Sequence, residues 1–231
     1  MTQGGYAQFC PVSMAAEVLC TRWTVVLLRE LLFGSTRFND LRRGLPRMSP
    51  ALLSQRLKEL EGQGVVCRAR GPSGVLEYHL TPAGLELRPI VEAMGRWGQR
   101  WIDSDLSLQF LDAQLLMWDM RRRLNPEPMP RRRCVIQFQY PERPQAERLW
   151  WLVVDPEDPV DLCGVDPGFD VDLYVTSDLR TMTAIWMGHD TVRAALAAER
   201  LKLVGDRELA AQMQTWLGLS SLAHVPRPAA A

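Results

Sequence analysis

Several kinds of chemistry have little to work with in this chain. Histidine occurs only as His79, His189 and His224, and none stands at metal-ligand spacing from a cysteine or carboxylate. The five cysteines, Cys10, Cys20, Cys67, Cys134 and Cys163, are an odd number without a CxxC pair, which suits neither a disulfide framework nor a zinc site. GxSxG, P-loop and GxGxxG stretches are all missing, so no nucleophile elbow or phosphate cradle is expected. The carboxylates between Asp155 and Asp172 lack the spacing of a calcium loop and read as solvated turns and strand edges. No metal, no cofactor and no enzymatic activity are expected. No apolar run has the length of a membrane span, about 20 residues, and MTQGGYAQFC lacks the basic and apolar regions of a leader. With unpaired thiols as well, the expectation is a cytoplasmic protein without a membrane partner.

What is present is an apolar fraction of 47%, ample for packed cores in a chain of 231 residues. The net charge is zero but uneven. Residues 1–103 hold 13 Lys/Arg against 9 Asp/Glu, and the remainder holds 14 against 18. A basic front and an acidic back fit a front that meets a polyanion.

The organising stretch is RFNDLRRGLPRMSPALLSQRLKEL, Arg37 to Leu60. Phe38, Leu41 and Leu45 share one helical face, and Pro46 ends that helix. Ser49 offers an N-cap oxygen and Pro50 suits the first helical position, where a missing N–H costs nothing. Leu53, Leu57 and Leu60 form the buried stripe of the second helix, opposite Ala51, Gln55 and Lys58 with Ser54 beside them. A small, amide-bearing, basic face suits base edges and phosphates in a DNA major groove. A solvated helical hairpin has the same pattern, and on these residues alone the two readings stand level. The next segment tips the balance. VVCRAR and VLEYHL read as strands around the turn Gly71–Gly74, which includes Ser73, and Arg68 and Arg70 make the hairpin basic. Helix, turn, helix and basic hairpin is the order of a winged helix-turn-helix. Arg37, Arg42, Arg43 and Arg47 surround it and join the candidate DNA contacts.

Before this stretch, Pro11–Leu19 reads as a short helix. Trp23, Val26, Leu27 and Leu31 share a face of a second one, closed by Gly34. After it, a helix is expected from Pro82 to about Ile102, kinked at Pro89. Met94, Trp97 and Trp101 exceed what a small three-helix core needs, so they are expected to pack on a second subunit or the second domain. Leu106 to Arg123 reads as an amphipathic helix ending in three arginines that cap its negative pole. Beyond the Pro-rich connector, Cys134–Tyr140, Leu149–Val154, Val160–Val165, Phe169–Thr176 and RLKLVG read as strands, interleaved with and followed by helices. The expected fold is α+β: a winged helix-turn-helix in residues 1–104, then an α/β domain in 105–231. The second domain should have a mainly antiparallel sheet of about five strands with helices on one face.

Residues 10–102 resemble the HxlR family of bacterial winged-helix transcriptional regulators. Cys10-Pro11-Val12, the Trp23–Leu32 helix, RFNDLRRGLPRMSPALLSQRLKELEGQGVV and EYHLTPAGLELRPIVEAMGRWGQRW carry the resemblance. It implies a homodimer on double-stranded DNA, with the Pro50–Leu60 helix in the major groove and the helix of Trp97 and Trp101 in the dimer. In several such proteins the cysteine at the position of Cys10 senses redox or electrophiles. Here Cys10 is a candidate redox residue, and a silent helix-capping thiol is preferred. Residues 105–218 look like the sterol carrier protein type two fold, through DVDLYVTSDLRTMTAIWMGHDTVRAALAAERLKLVGD. That family binds apolar molecules between sheet and helices. The implied pocket is Trp118, Phe138, Trp150, Leu152, Leu173, Met182, Trp186, Met213 and Trp216, although any one of these is better explained as core. The resulting expectation is a transcriptional regulator that responds to an apolar small molecule. The alternative is a lipid or apolar-ligand carrier whose winged helix serves dimerisation only.

Overall fold

The computed structural model describes residues 5–103 and 108–227. The chain folds as two compact units, Met1–Gly95 and Arg96–Ala231. The division falls inside a helix rather than at 104/105. The reason lies at Gln99, which is buried and donates its amide N–H to the Met187 carbonyl at 3.1 Å, within the second unit.

The first unit begins with α1 (Pro11–Leu19) and α2 (Thr24–Leu32), followed by α3 (Phe38–Gly44) and α4 (Pro50–Gly62). The hairpin β1 (Val66–Arg70) and β2 (Leu76–Leu80) is antiparallel, with Val66 opposite Leu80 and Arg70 opposite Leu76. Two helices follow, α5 (Pro82–Leu85) and α6 (Arg88–Trp101), the latter passing into the second unit at Arg96. The core is Leu27, Leu28 and Leu31 of α2, Leu41 of α3, Leu45 and Met48 of the turn, Leu53, Leu57 and Leu60 of α4, and Val66 of β1. Two expectations change. Val26 is 36% exposed and Leu28 takes its place, because α2 begins at Thr24 and its inner stripe runs Thr24, Leu27, Leu28, Leu31. The helix after the wing is broken at Glu86–Leu87 rather than kinked within, and Pro89 sits in the first turn of α6, where it loses no hydrogen bond. Gly84 is needed in α5 because a Cβ there would meet the Val65 carbonyl oxygen at 2.2 Å.

The second unit contains α7 (Ala113–Arg123), β3 (Cys134–Gln139), α8 (Gln145–Arg148), β4 (Leu149–Val154), β5 (Asp161–Cys163) and β6 (Leu173–Ser177). It ends with α9 (Leu179–Trp186), α10 (Val192–Ala197), β7 (Leu201–Gly205), α11 (Arg207–Ala211) and α12 (Met213–Trp216). The five strands lie in the order β5-β4-β3-β6-β7. The sheet is mixed: β3 and β6 run parallel, and the other pairings are antiparallel. Alternation sends Ile136, Phe138, Trp150, Leu152, Leu173 and Val175 to one face, where they join Met117 and Met120 of α7, Met182 and Ile185 of α9, and Met213 and Trp216 of α12. The opposite face carries a smaller cluster around Val135, Trp151 and Val153.

Helix α7 starts at Ala113, later than the expected Leu106, because the Asp112 carboxylate accepts the Leu115 N–H and caps it there. Leu106 itself lies outside the described residues, and Phe110 is 70% exposed. Strand β6 starts at Leu173, not Phe169. The Asp172 carboxylate accepts the Val135 N–H and bonds Arg132, which ends the preceding loop, and Phe169 stacks under Arg133 instead. The last helix is split at Gln212.

Candidate nucleic-acid interface

Ser49, Pro50 and the leucine stripe place the polar face of α4. The Ser49 hydroxyl accepts the Leu52 N–H at 3.3 Å, and Pro50 occupies the first turn. Leu53, Leu57 and Leu60 are each no more than 2% exposed, which fixes the rotation of the helix. Ala51, Ser54, Gln55 and Lys58 consequently all lie exposed on the outer face. The preceding helix is anchored by an acid. Glu30 is fully buried, pairs with Arg29 at 2.7 Å and receives the Ser35 hydroxyl at 3.4 Å. Arg29 also donates to the Gly44 carbonyl at 3.1 Å, tying α2 to the end of α3. A Cβ at Gly44 would lie 1.9 Å from the Glu30 carboxylate, so this joint admits no side chain.

Several candidate contacts already have partners. The Gln55 amide donates to Glu59 at 2.9 Å, and Arg56 bonds the same carboxylate. In the wing, Arg68 pairs with Glu61 of α4 at 2.7 Å and Arg70 donates to the Gly74 carbonyl at 3.0 Å. Arg37 pairs with Glu77 of β2 at 3.4 Å, beside a backbone bridge between the same two residues. Arg43 lies 3.8 Å from Asp40. Arg42, Arg47, Lys58 and Ser73 are exposed. The sequence pattern identified the exposed face but not the carboxylates. Glu59 and Glu61 lie one and three residues past Lys58, flanking Leu60 of the buried stripe.

The side chains expected at a dimer contact are solvent-facing: Met94 is 52% exposed, Trp97 61% and Trp101 59%. Ile90, at 46%, extends the same stripe. The nine expected pocket residues behave differently. Each is at most 9% exposed, and all but Trp118 belong to one packed core. Trp118 is buried with Arg121 over its ring at 4.6 Å. Neither of two clefts on the second unit, each about 500 Å³ or slightly less, is lined by any of the nine. Arg121 and Arg123 donate to the Val160 and Leu219 carbonyls, so they brace the second unit in addition to ending α7.

Cys10 precedes α1 and is partly exposed. The backbone N–H groups of Ser13 and Val12 hold its thiol below the ordinary value. Among the described residues no group of three His, Cys, Asp or Glu side chains could hold a metal ion, and no single helix is long and apolar enough to cross a membrane.

Residues 18–106 match the HxlR-like helix-turn-helix family. The chain is 40% identical over 100 residues to the uncharacterized HTH-type transcriptional regulator YvaP of Bacillus subtilis, covering 42% of this chain and 93% of that protein. It is 38% identical over 93 residues to the uncharacterized HTH-type transcriptional regulator YybR of the same organism, covering 39% of this chain and 74% of that one. Among solved structures, the redox regulator HypR in its oxidized form is 36% identical, covers 39% of this chain and 95% of its own, and has a TM-score of 0.36. Each of these similarities spans about two fifths of the present chain.

Proposed function

Because the chain belongs to the HxlR-like helix-turn-helix family of transcriptional regulators, we propose that it reads double-stranded DNA as a homodimer and that its second unit makes this reading responsive to a small molecule. The exposed face of α4 carries the proposal. Ser54 and Gln55 present a hydroxyl and an amide to base edges, and Lys58 presents a charge to phosphate. Arg42, Arg43 and Arg47 before α4, and Arg68 and Arg70 after it, extend the basic surface to the DNA backbone. Contact with DNA exchanges the ion pairs of Arg37 and Arg68 with Glu77 and Glu61 for pairs with phosphate.

One winged helix offers few base contacts, and two copies on half-sites about 34 Å apart multiply them. The stripe Ile90, Met94, Trp97, Trp101, spaced at four, three and four residues on α6, is the proposed seam between the copies. The second unit is proposed as the effector unit, in keeping with its sterol-carrier resemblance and its five-stranded sheet under helices. An effector changes DNA affinity only by binding the DNA-free and DNA-bound forms unequally.

Fluorescence anisotropy with genomic DNA fragments tests the reading. Saturable binding to some fragments, with affinity falling steeply as salt rises, is the expected result. Absence of binding to any fragment at low salt removes the DNA-reading role and leaves a carrier whose winged helix only dimerises.

A further inference from the structure

The effector-unit reading needs a place for a ligand, and the nine side chains expected to line one are all buried. An open cleft of about 480 Å³ lies elsewhere on that unit, within the size of small-molecule sites, about 300–1,000 Å³. Leu111 and Ala184 give it an apolar wall; Glu142, Arg143, Asp178, Arg180 and Arg200 stand around it.

The acids and the bases of this cleft are engaged differently. Asp178 accepts the Thr181 N–H at 2.6 Å and the Thr181 hydroxyl at 2.9 Å. Glu142 accepts the Leu179 N–H at 2.8 Å. Both carboxylates are turned onto the first turn of α9, where they cap the Leu179 and Thr181 N–H groups. Each guanidinium, in contrast, is held along one edge. Glu147 takes Arg143 through Nε and one Nη, and Asp190 takes Arg200 through Nη1 at 2.7 Å. A guanidinium carries five N–H donors in a planar fork, so donors remain on both. These side chains are 29% and 43% exposed. With Glu147 and Asp190 included, four carboxylates stand against the guanidinium groups of Arg143, Arg180 and Arg200, so net charge does not favour an anion. Selectivity must therefore come from directed donors beside an apolar wall.

We propose that this cleft binds an amphipathic carboxylate, with the carboxylate oxygens on Arg143 and Arg200 and the apolar body against Leu111 and Ala184. A carboxylate offers acceptors only, which is what a donor-rich mouth lacks. A neutral apolar ligand would cover those donors without bonding them, at a cost in desolvation. A cation would meet the three guanidinium groups of Arg143, Arg180 and Arg200. The proposal rests on the effector-unit reading and moves its ligand from the core to the surface, and from apolar to amphipathic and anionic.

The test is calorimetric titration of the full chain with 1-naphthoate and with uncharged 1-naphthamide. Naphthoate should bind one per chain and at least ten-fold more tightly than the amide. The double variant Arg143→Gln, Arg200→Gln should lose that preference while its thermal melt stays unchanged. If the double variant does not fold, Ala184→Phe, which fills the apolar wall, should abolish naphthoate binding. Equal affinity for acid and amide, binding indifferent to these variants, or no heat at millimolar ligand overturns the assignment. DNA titrations run on the same samples keep the two readings apart. Bound naphthoate with unchanged DNA affinity would leave the cleft standing and remove its coupling to DNA.

Discussion

The tryptophans divide this molecule into two regimes. Trp97 and Trp101 on α6 are 61% and 59% exposed, whereas Trp118, Trp150, Trp151, Trp186 and Trp216 are all 9% exposed or less. The same residue type, on stripes of similar regularity, is offered outward in one region and sealed inward in the other. An exposed stripe of large apolar side chains is unfinished burial and calls for a partner surface. A sealed set is finished burial, and a ligand could enter only by displacing it. The resemblance implies an internal pocket, whereas the nine side chains named for it are each at most 9% exposed. The two regions therefore differ in burial: the α6 stripe faces solvent, and the interior of the second unit is packed.

The contrast can be broken most severely at Trp216. This side chain is fully buried and donates its Nε1–H to the Leu209 carbonyl at 2.7 Å. Trp216→Ala should destabilise the second unit by about 3–5 kcal/mol, measured by urea unfolding. A loss below about 1 kcal/mol would reveal an interior loose enough to admit a ligand and would restore the internal pocket. Trp97→Ala is the converse. It should leave monomer stability within about 0.5 kcal/mol but weaken self-association by about 2 kcal/mol, near 30-fold, in sedimentation equilibrium. An unaltered association constant would detach the stripe from the dimer.

Smaller effects are expected at the reading head. Gln55→Ala should relax sequence preference by about 1–3 kcal/mol if its amide leaves Glu59 for a base. The measurement is competition between an operator and its single-base variants, and unchanged discrimination excludes Gln55 from base reading. Arg68→Ala should weaken binding to all sequences alike and reduce the salt slope by about 1. An unchanged slope would mean that Arg68 stays with Glu61 on DNA. The mildest contrast is chemical. Cys10 has its pKa lowered by the N–H groups at the start of α1, while burial raises that of Cys134. Thiolate populations grow as pH rises through each pKa, so iodoacetamide should label Cys10 at lower pH than Cys134, as read by mass spectrometry. Equal labelling profiles would contradict that order.

Much of the reading head was legible because its signals are local. Ser49 and Pro50 start α4, the leucines at 53, 57 and 60 set its rotation, and Gly64 at φ +71° ends it. The outward position of Ser54, Gln55 and Lys58 then follows from helical geometry. Strands β3, β4 and β7 were equally readable from their period and their turns. Less legible were boundaries set by distant partners. Asp172 closes the loop before β6 by reaching Val135 and Arg132, and Asp112 delays α7 by capping it. The parallel pairing of β3 with β6 brings together residues about 37 apart, with other strands between them in the chain.

By itself the sequence determined the winged helix-turn-helix and the polar outer face of α4, because caps, prolines and a leucine period act within a few residues of each other. It also determined which side chains are apolar. Only the tertiary structure decided what those apolar side chains meet. Trp216 has a sheet and helices to close over it, and Trp97 does not. Amphipathic period records that a face must be buried, and it carries no information about whether the covering surface belongs to the same chain. The acids that hold Arg37 and Arg68 were decided in the same way, since an ion pair across 40 or seven residues depends on where the backbone returns.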